Sequence, residues 1–408
     1  MKVFSSRFLN TACLVVCAIL GGHAVAQTNP STTVQQEVYK PLQAAQEALK
    51  NNQPQQALIL VKEALAVPKI TPSETALVQR TFAVAALAAK DFDQAIASLE
   101  FLVSQPGLTP AQQRPFLESL MNATQQKKDF PALVKWARQY LSADGTNASV
   151  RPVLIQALSV MNAHQEVVQE MLIKLKIDAA SGQKTPEQEL RSLAVSYRQL
   201  NDKPGYEATL LQLLEAYPSK AYWSEAINLQ ANRVNANPRF DLDLFRLLEE
   251  TGNLEDEVAY IGMAELALKA GLPAEAKRVL DKGFQNALLG KGKSAAIHAQ
   301  LRQQAASKLA EDEKLFAQIE RAAKDGNAWV GLGDVWLSKQ DWVQALALYA
   351  KARALGNVRR EAELNLHQAI ALFKMGEASQ SRAVLAKVTD DMTAMAVANL
   401  WRIQTLTK

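Results

Sequence analysis

Apolar residues recur every three or four positions along nearly all of the chain after Val34. This spacing places them on one face of an α-helix. Pro, Gly, Asn and Asp interrupt the pattern at intervals, and these residue types end helices and form turns. No stretch alternates apolar and polar residues as a half-buried strand would. The pattern therefore predicts an all-α protein built from many short helices.

The clearest repeating unit begins at Asn327 and runs to about residue 355. The residues that mark its two helices are Trp329, Leu332, Gly333, Trp336, Ala345, Tyr349 and Ala352. Their spacing resembles the tetratricopeptide repeat, a helical hairpin of about 34 residues with the pattern Trp-x2-Leu-Gly-x2-Tyr and then Ala-x3-Phe-x2-Ala. The resemblance is less complete over residues 41–105 and 256–285. It implies an α-solenoid, in which hairpins stack side by side.

Small residues twelve positions apart recur along the chain and support this interpretation. Two helices cross closely only where side chains are small, and a bulky residue at the crossing costs ~1–3 kcal/mol. The pairs are Ala45 with Ala57, Ala83 with Ala95, Ala264 with Ala276, Gly333 with Ala345, and Ala369 with Ser381. The gaps between them imply degenerate units at residues 148–176, 221–250 and 294–324. We predict a tetratricopeptide-like solenoid of about ten antiparallel helix pairs, irregular in the middle, with a final helix near residues 392–405.

The start of the chain has the features of a secretory signal peptide. A basic start precedes an apolar run over residues 9–20, and the sequence AVA at residues 24–26 provides a cleavage site after Ala26. A lipoprotein signal is the alternative because Cys17 lies late in the apolar run, but the bulky Val16 precedes it. We expect an exported, periplasmic protein without an integral membrane span.

These observations divide the chain into five regions. Residues 1–26 form the signal peptide and residues 27–35 a flexible segment. Residues 36–220 form an N-terminal repeat array, residues 221–325 divergent helical repeats, and residues 326–408 a C-terminal pair of repeats with a capping helix.

Charge and candidate chemistry change this picture little. The chain has 45 basic and 41 acidic residues, a balance that does not favour a nucleic-acid partner. Both cysteines, Cys13 and Cys17, lie in the predicted signal peptide. The later histidines, His164, His298 and His367, lack the spacing of metal ligands on one helix face, which favours surface or packing roles.

One segment, ALLGKGKS at residues 287–294, fits a loose phosphate-loop pattern. A phosphate loop joins a strand to a helix, whereas a helix is predicted before this segment. We therefore interpret it as a flexible basic loop. No nucleophile elbow is present. We predict a protein that is not an enzyme and that uses no cofactor or metal.

The resemblance to tetratricopeptide repeats also implies a binding surface. In that family the first helix of each unit lines a concave groove, through positions 2, 5, 9, 12 and 13 of the unit. The corresponding residues of the clear units include Arg80, Val84, Leu87, Ile261, Glu265, Leu268, Val330, Asp334, Leu337, Leu366, Ile370 and Phe373. Such an apolar lining would accept a segment of a partner protein. The alternative is that curvature or the middle helices cover these residues.

Two functions remain open at this stage. The first is an exported scaffold that binds a protein or peptide partner in its groove, since residues 241–283 look similar to bacterial envelope proteins of this repeat class. The second is a structural subunit of an envelope export, transport or polysaccharide-secretion complex, with no peptide in the groove. The sequence does not identify the partner or the oligomeric state.

Overall fold

A computed structural model describes residues 34–145, 147, 149–233 and 236–407. All regular structure in these ranges is helical, with twenty α-helices and two short 3-10 helices. The predicted all-α class is therefore confirmed. The predicted signal peptide lies outside the described residues, and so does the predicted flexible segment up to residue 33.

The chain forms two compact units, and one helix contributes residues to both. The first unit comprises the described residues up to Thr185 together with Val195–Asn201. Its helices are α1 (Gln36–Lys50), α2 (Pro54–Leu65), α3 (Pro72–Ala88), α4 (Phe92–Val103), α5 (Pro110–Lys127), α6 (Phe130–Ala143), α7 (Val150–Val160) and α8 (His164–Ser181). Helix α9 (Glu187–Gln199) is the shared one.

The second unit comprises Pro186–Ala194 and the chain from Asp202 onward. Its helices are α10 (Lys203–Ala216), α11 (Lys220–Ala231), α12 (Asp241–Glu250), α13 (Glu257–Lys269), α14 (Pro273–Gln285), α15 (Ala295–Ala322), α16 (Gly326–Ser338), α17 (Trp342–Leu355), α18 (Glu361–Lys374), α19 (Ala378–Leu385) and α20 (Met392–Gln404). The 3-10 helices Pro238–Phe240 and Gly292–Ser294 precede α12 and α15. The predicted five-part division follows the regularity of the repeats rather than compactness, and it stays a prediction.

Successive helices pack as hairpins in both units. The hairpins are α1 with α2, α3 with α4, α5 with α6, and α7 with α8 in the first unit, and α11 with α12, α13 with α14, α16 with α17, and α18 with α19 in the second. These stacked helical hairpins, without a strand among the described residues, give the chain a tetratricopeptide-like solenoid fold.

One predicted unit is wrong in detail. Residues 294–324 do not form a helix pair, because a single helix, α15, runs from Ala295 to Ala322. The physical reason is visible in the sequence: that helix contains no Gly, Pro or Asn to end its first half.

Seven hairpins share one turn design. A single residue after the first helix adopts a left-handed backbone, at Asn52, Lys90, Lys128, Asn162, Gly271, Gln340 and Gly376. The next residue then donates its N–H to a carbonyl five residues back, as from Asp91 to Ala86 at 2.9 Å and from Asp341 to Trp336 at 3.0 Å. These bonds satisfy carbonyls at the helix end. The chain can therefore reverse within three residues.

The small residues predicted to lie at the helix crossings are buried there. All ten residues of the predicted small pairs are buried. A Cβ added at Gly333 would lie 2.6 Å from Tyr349 Cδ1, far inside van der Waals contact. At another crossing, the Ser381 hydroxyl donates to the Ala369 carbonyl at 2.8 Å. The assigned repeat register is therefore confirmed at these positions.

The second unit closes on itself. Its last helix, α20, packs against α10, α11 and α12. The side chain of Asn237 donates to Asp391 at 2.9 Å, its backbone N–H donates to Thr393 at 2.9 Å, and Arg402 pairs with Glu215. Buried residues of α10–α12 and of α16–α20 form one hydrophobic core. The final repeats are thus covered by the beginning of the same unit.

Candidate functional site

The predicted groove residues of the first unit lie on α3. Arg80 is exposed, Leu87 is half-buried and Val84 is 1% exposed. The Arg80 guanidinium lies 5.8 Å from the centre of the Phe116 ring on α5, close enough for a cation–π contact. Arg80 and Leu87 are therefore accessible to a partner, whereas Val84 is part of the packing.

The predicted groove residues of α16 and α18 lie in the core of the second unit. Five of them are at most 4% exposed and belong to the same hydrophobic cluster: Val330, Leu337, Leu366, Ile370 and Phe373. That cluster also contains residues of α10, α11, α12 and α20. The structure thus shows the covered arrangement that the sequence left open for these helices.

The remaining predicted residues differ from one another. On α13, Glu265 is exposed, while Ile261 and Leu268 are half-buried against the core of that hairpin. Asp334 on α16 is half-buried and belongs to a network of charged side chains. A role in partner binding for these residues stays a prediction.

That network lies in the interior of the second unit, and Arg246 on α12 is at one end. The guanidinium donates twice to Glu275 on α14, at 2.9 and 2.6 Å, and once to Asp243 at 2.8 Å. Asp243, Arg246 and Glu275 are at most 7% exposed. Burial disfavours the charge on Arg246, but the two carboxylates raise its pKa well above the usual value.

His367 on α18 joins the network to the final repeats. Its Nε2 lies 3.3 Å from Asp243 and its Nδ1 lies 2.7 Å from Asp334. Asp334 also accepts a hydrogen bond from the Tyr349 hydroxyl at 2.8 Å. Burial lowers the pKa of His367, but the Asp334 and Asp243 carboxylates outweigh it and raise the pKa to about 10. The imidazole is therefore charged at neutral pH, with both nitrogens engaged.

A second set of ion pairs lies at the end of α12. Arg278 on α14 donates to both oxygens of Glu249, at 2.6 and 2.8 Å, and Lys282 lies 3.1 Å from the same carboxylate. Burial raises the pKa of Glu249, but these two cations lower it to about 2. Lys374 on α18 pairs with the neighbouring Glu250. Together with His367, this pair ties α18 to α12.

The charged network is suited to holding helices rather than to chemistry. Its groups are paired with one another, and neither nitrogen of His367 is left to accept a proton from a substrate. Within the described ranges, no group of three or more metal-ligating side chains is placed to hold an ion. The segment at residues 287–294 joins helix α14 to α15, and the N–H of Gly290 donates to His298 at 3.2 Å.

Sequence reasoning missed most of this network. It singled out His367 but assigned it only a surface or packing role, and it did not single out Asp243, Arg246 or Glu275. A signal was available, because Asp243 and Arg246 stand among the leucines of α12, and charged residues in an apolar stretch are buried only when paired.

The first unit also has an exposed apolar patch, which we call the inner patch. It consists of Val160 and Met161 at the end of α7, and of Val195 and Leu200 at the end of α9. These side chains are 52%, 42%, 42% and 37% exposed, respectively. Nδ1 of His164, which begins α8, lies 3.4 Å from the Ser196 hydroxyl, so the start of α8, just after Val160 and Met161, is next to the last turns of α9. Adjacent exposed apolar residues mark interaction sites more often than isolated ones do.

The part of the chain that the structure describes contains no helix long and apolar enough to cross a membrane. No family model matches the chain, and no curated protein matches it. The fold and site therefore define a class only: a tetratricopeptide-like helical solenoid.

Several solved structures are similar to the chain. One is a tetratricopeptide repeat protein from Parabacteroides merdae, 12% identical over 83% of this chain and 99% of that one, with a TM-score of 0.29. Another is the TPR2AB domain of yeast Sti1 in complex with pHSP90, 16% identical over 66% and 98%, with a TM-score of 0.33. A third is the maize pentatricopeptide repeat protein PPR10, 11% identical over 97% and 66%, with a TM-score of 0.30. Because all three TM-scores are below 0.5, the fold assignment rests on the hairpins described above.

Proposed function

We propose that this chain is a non-enzymatic protein-interaction scaffold of the bacterial cell envelope. In this proposal, a segment of a partner protein binds to the first helices of the first unit. The observation that carries it is the contrast between the units. Two of the three predicted groove residues of α3, Arg80 and Leu87, are accessible, while the corresponding apolar residues of α16 and α18 form a closed core.

The accessible surface has the chemistry of a peptide-binding face. Arg80 supplies a charge and Leu87 a half-buried apolar side chain on α3, and Val160 and Val195 of the inner patch add exposed apolar area on α7 and α9. A helical or extended peptide can place apolar side chains against such residues while its polar groups remain in water. The basic, apolar and small-residue sequence at residues 1–26 supports placing the protein outside the cytoplasm.

The closed second unit favours the alternative function in one respect. A unit whose own helices fill its interior is suited to spacing other components of an export, transport or polysaccharide-secretion complex. In that case neither unit would hold a peptide on its first helices, and the two functions make different predictions for crosslinking.

The test is site-specific photocrosslinking of the full chain in living bacteria. A photoreactive amino acid is placed at Arg80 or at Val160, and the matched control places it at Ile59, which is 54% exposed on the second helix α2. We expect discrete protein adducts from Arg80 and Val160 and none from Ile59. Adducts from all three sites, or from none, would contradict binding on the first helices. Fractionation of the same cells tests the expected periplasmic location.

A further inference from the structure

Most side chains of helix α15 in the second unit are exposed or only half-buried. The helix has 28 residues, and only His298 and Ala305 are buried. Three of its large apolar side chains are strongly exposed, since Ile297 is 65%, Leu315 is 49% and Ile319 is 48% exposed. A surface helix normally buries its apolar stripe against a neighbour. These side chains therefore form a stripe for which the second unit provides no cover.

The exposed residues of α15 share one side of the helix. At 3.6 residues per turn, Ile297 and Leu315 are separated by about five full turns and point the same way. Lys308 and Glu311, which lie between them and are both exposed, fall within about 40° of that direction, as does Ile319. The stripe begins with Ile297 and ends with Leu315 and Ile319, and the exposed Gln304, one cation and one anion lie between them.

The other side of α15 is already occupied by its own unit. Ala305 and His298 are buried, and the Phe316 ring packs edge-on against Trp336 with centroids 5.6 Å apart. On that side Arg302 pairs with Asp281 of α14 at 2.6 Å. The exposed stripe therefore lies beside the packed side of the helix and is free to meet another surface.

We propose that this stripe binds the same stripe of a second copy of the chain, with the two α15 helices antiparallel. A two-fold axis between residues 309 and 310 would place Lys308 opposite Glu311 of the partner subunit, and Glu311 opposite the partner subunit's Lys308. With the same axis, Ile297 lies opposite Ala322 of the partner subunit and within about one helical turn of the partner subunit's Ile319, so the apolar residues at the helix ends can touch. Leu315 lies opposite Gln304 of the partner subunit, so the stripe complements itself in charge at its centre and by apolar contact near its ends.

The charges select this arrangement over the parallel one. In a parallel pair Lys308 would face Lys308 of the partner subunit, and Glu311 would face the partner subunit's Glu311. Like charges across a helix pair are unfavourable, and such contacts set orientation in paired helices. Twofold dimers with one patch used by both subunits are also the commonest form of oligomer.

The test is sedimentation equilibrium of the purified chain, with circular dichroism to show that each variant is folded. We expect a reversible dimer that Leu315→Asp dissociates. Lys308→Glu and Glu311→Lys each create two like-charge contacts, so each should weaken dimerisation by about tenfold. The double variant, with both reversals in one chain, restores opposite charges across the axis and should recover the native dissociation constant.

Val343→Asp is the matched control, because Val343 is 64% exposed on α17, away from the stripe, and it should leave dimerisation unchanged. A native chain that stays monomeric up to about 100 µM would overturn the proposal, and so would capture of a different protein on the stripe by a monomeric chain. A double variant no stronger than the single variants, or equal weakening by Val343→Asp, would also overturn it.

Discussion

Replacing Gly333 by alanine changes one hydrogen atom of a helix into a methyl group at the closest crossing of the α16–α17 hairpin. The new Cβ would lie 2.6 Å from Cδ1 and 3.1 Å from Cζ of Tyr349. Ordinary contact begins at 3.4 Å, so the ring would have to move by roughly 1 Å. The ring has no room for this, because Tyr349 is 0% exposed and its hydroxyl is bound to Asp334.

The free-energy cost of the clash can be measured by comparison with the same substitution at Gly331, a second glycine on α16. Nothing lies within 4 Å of a Cβ at Gly331, and its backbone is ordinary helix. Both substitutions gain the same helix propensity of about 1 kcal/mol, but only Gly333→Ala overpacks the crossing, at a cost of about 1–3 kcal/mol. The difference in the free energy of unfolding between the two variants is therefore the cost of the clash.

Thermal unfolding followed by circular dichroism measures this difference. For a unit of this size each kcal/mol shifts the melting temperature by roughly 2–4 °C. Gly331→Ala should melt at or slightly above the native temperature, and Gly333→Ala should melt several degrees below Gly331→Ala. Equal melting temperatures for the two variants would refute the crossing and with it the assigned register of the repeat.

Three further predictions concern the second unit. His367→Leu removes the cation that Asp243 and Asp334 share, while Asp243 keeps Arg246 and Asp334 keeps Tyr349, so urea unfolding should show a loss of about 1.5–3 kcal/mol; a loss below 1 kcal/mol would contradict a charged His367. Because its pKa is raised from 6.5 to about 10, the stability that His367 contributes should be complete below about pH 6.5 and lost as the pH rises toward 10, and His367→Gln should flatten that decline in urea titrations. Asp341, which accepts the N–H of Gln344 at 3.1 Å, caps α17, so Asp341→Ala should cost about 1 kcal/mol by thermal unfolding and Asp341→Ser much less.

The hairpins could be predicted from the sequence because their determinants are local. The spacing from Gly333 to Ala345 fixes a crossing, and the turn residues between the two helices fix where the first one ends. These features act within about 34 residues, so a periodic pattern contains them. The single helix α15 was mistaken for a pair because the repeat spacing was given more weight than the absence of breaking residues.

The closure of the second unit could not be predicted in the same way. An apolar first helix such as α18 shows the same pattern whether a partner or the chain itself covers Leu366 and Phe373. The contact that decides between them, from His367 to Asp243, joins residues 124 positions apart, and no periodicity relates them. The two aspartates that charge His367 likewise lie on different helices, so its state depends on the tertiary fold.

Closure of the second unit also constrains how this part of the protein can change in length. A stack with free ends can gain or lose a hairpin by duplication or deletion, because each hairpin touches only its neighbours. In the second unit, α20 contacts α10, α11 and α12. One added hairpin between them would displace α20 and change each of these contacts. A hairpin can therefore be added or lost without disrupting these contacts only in segments outside α10–α20.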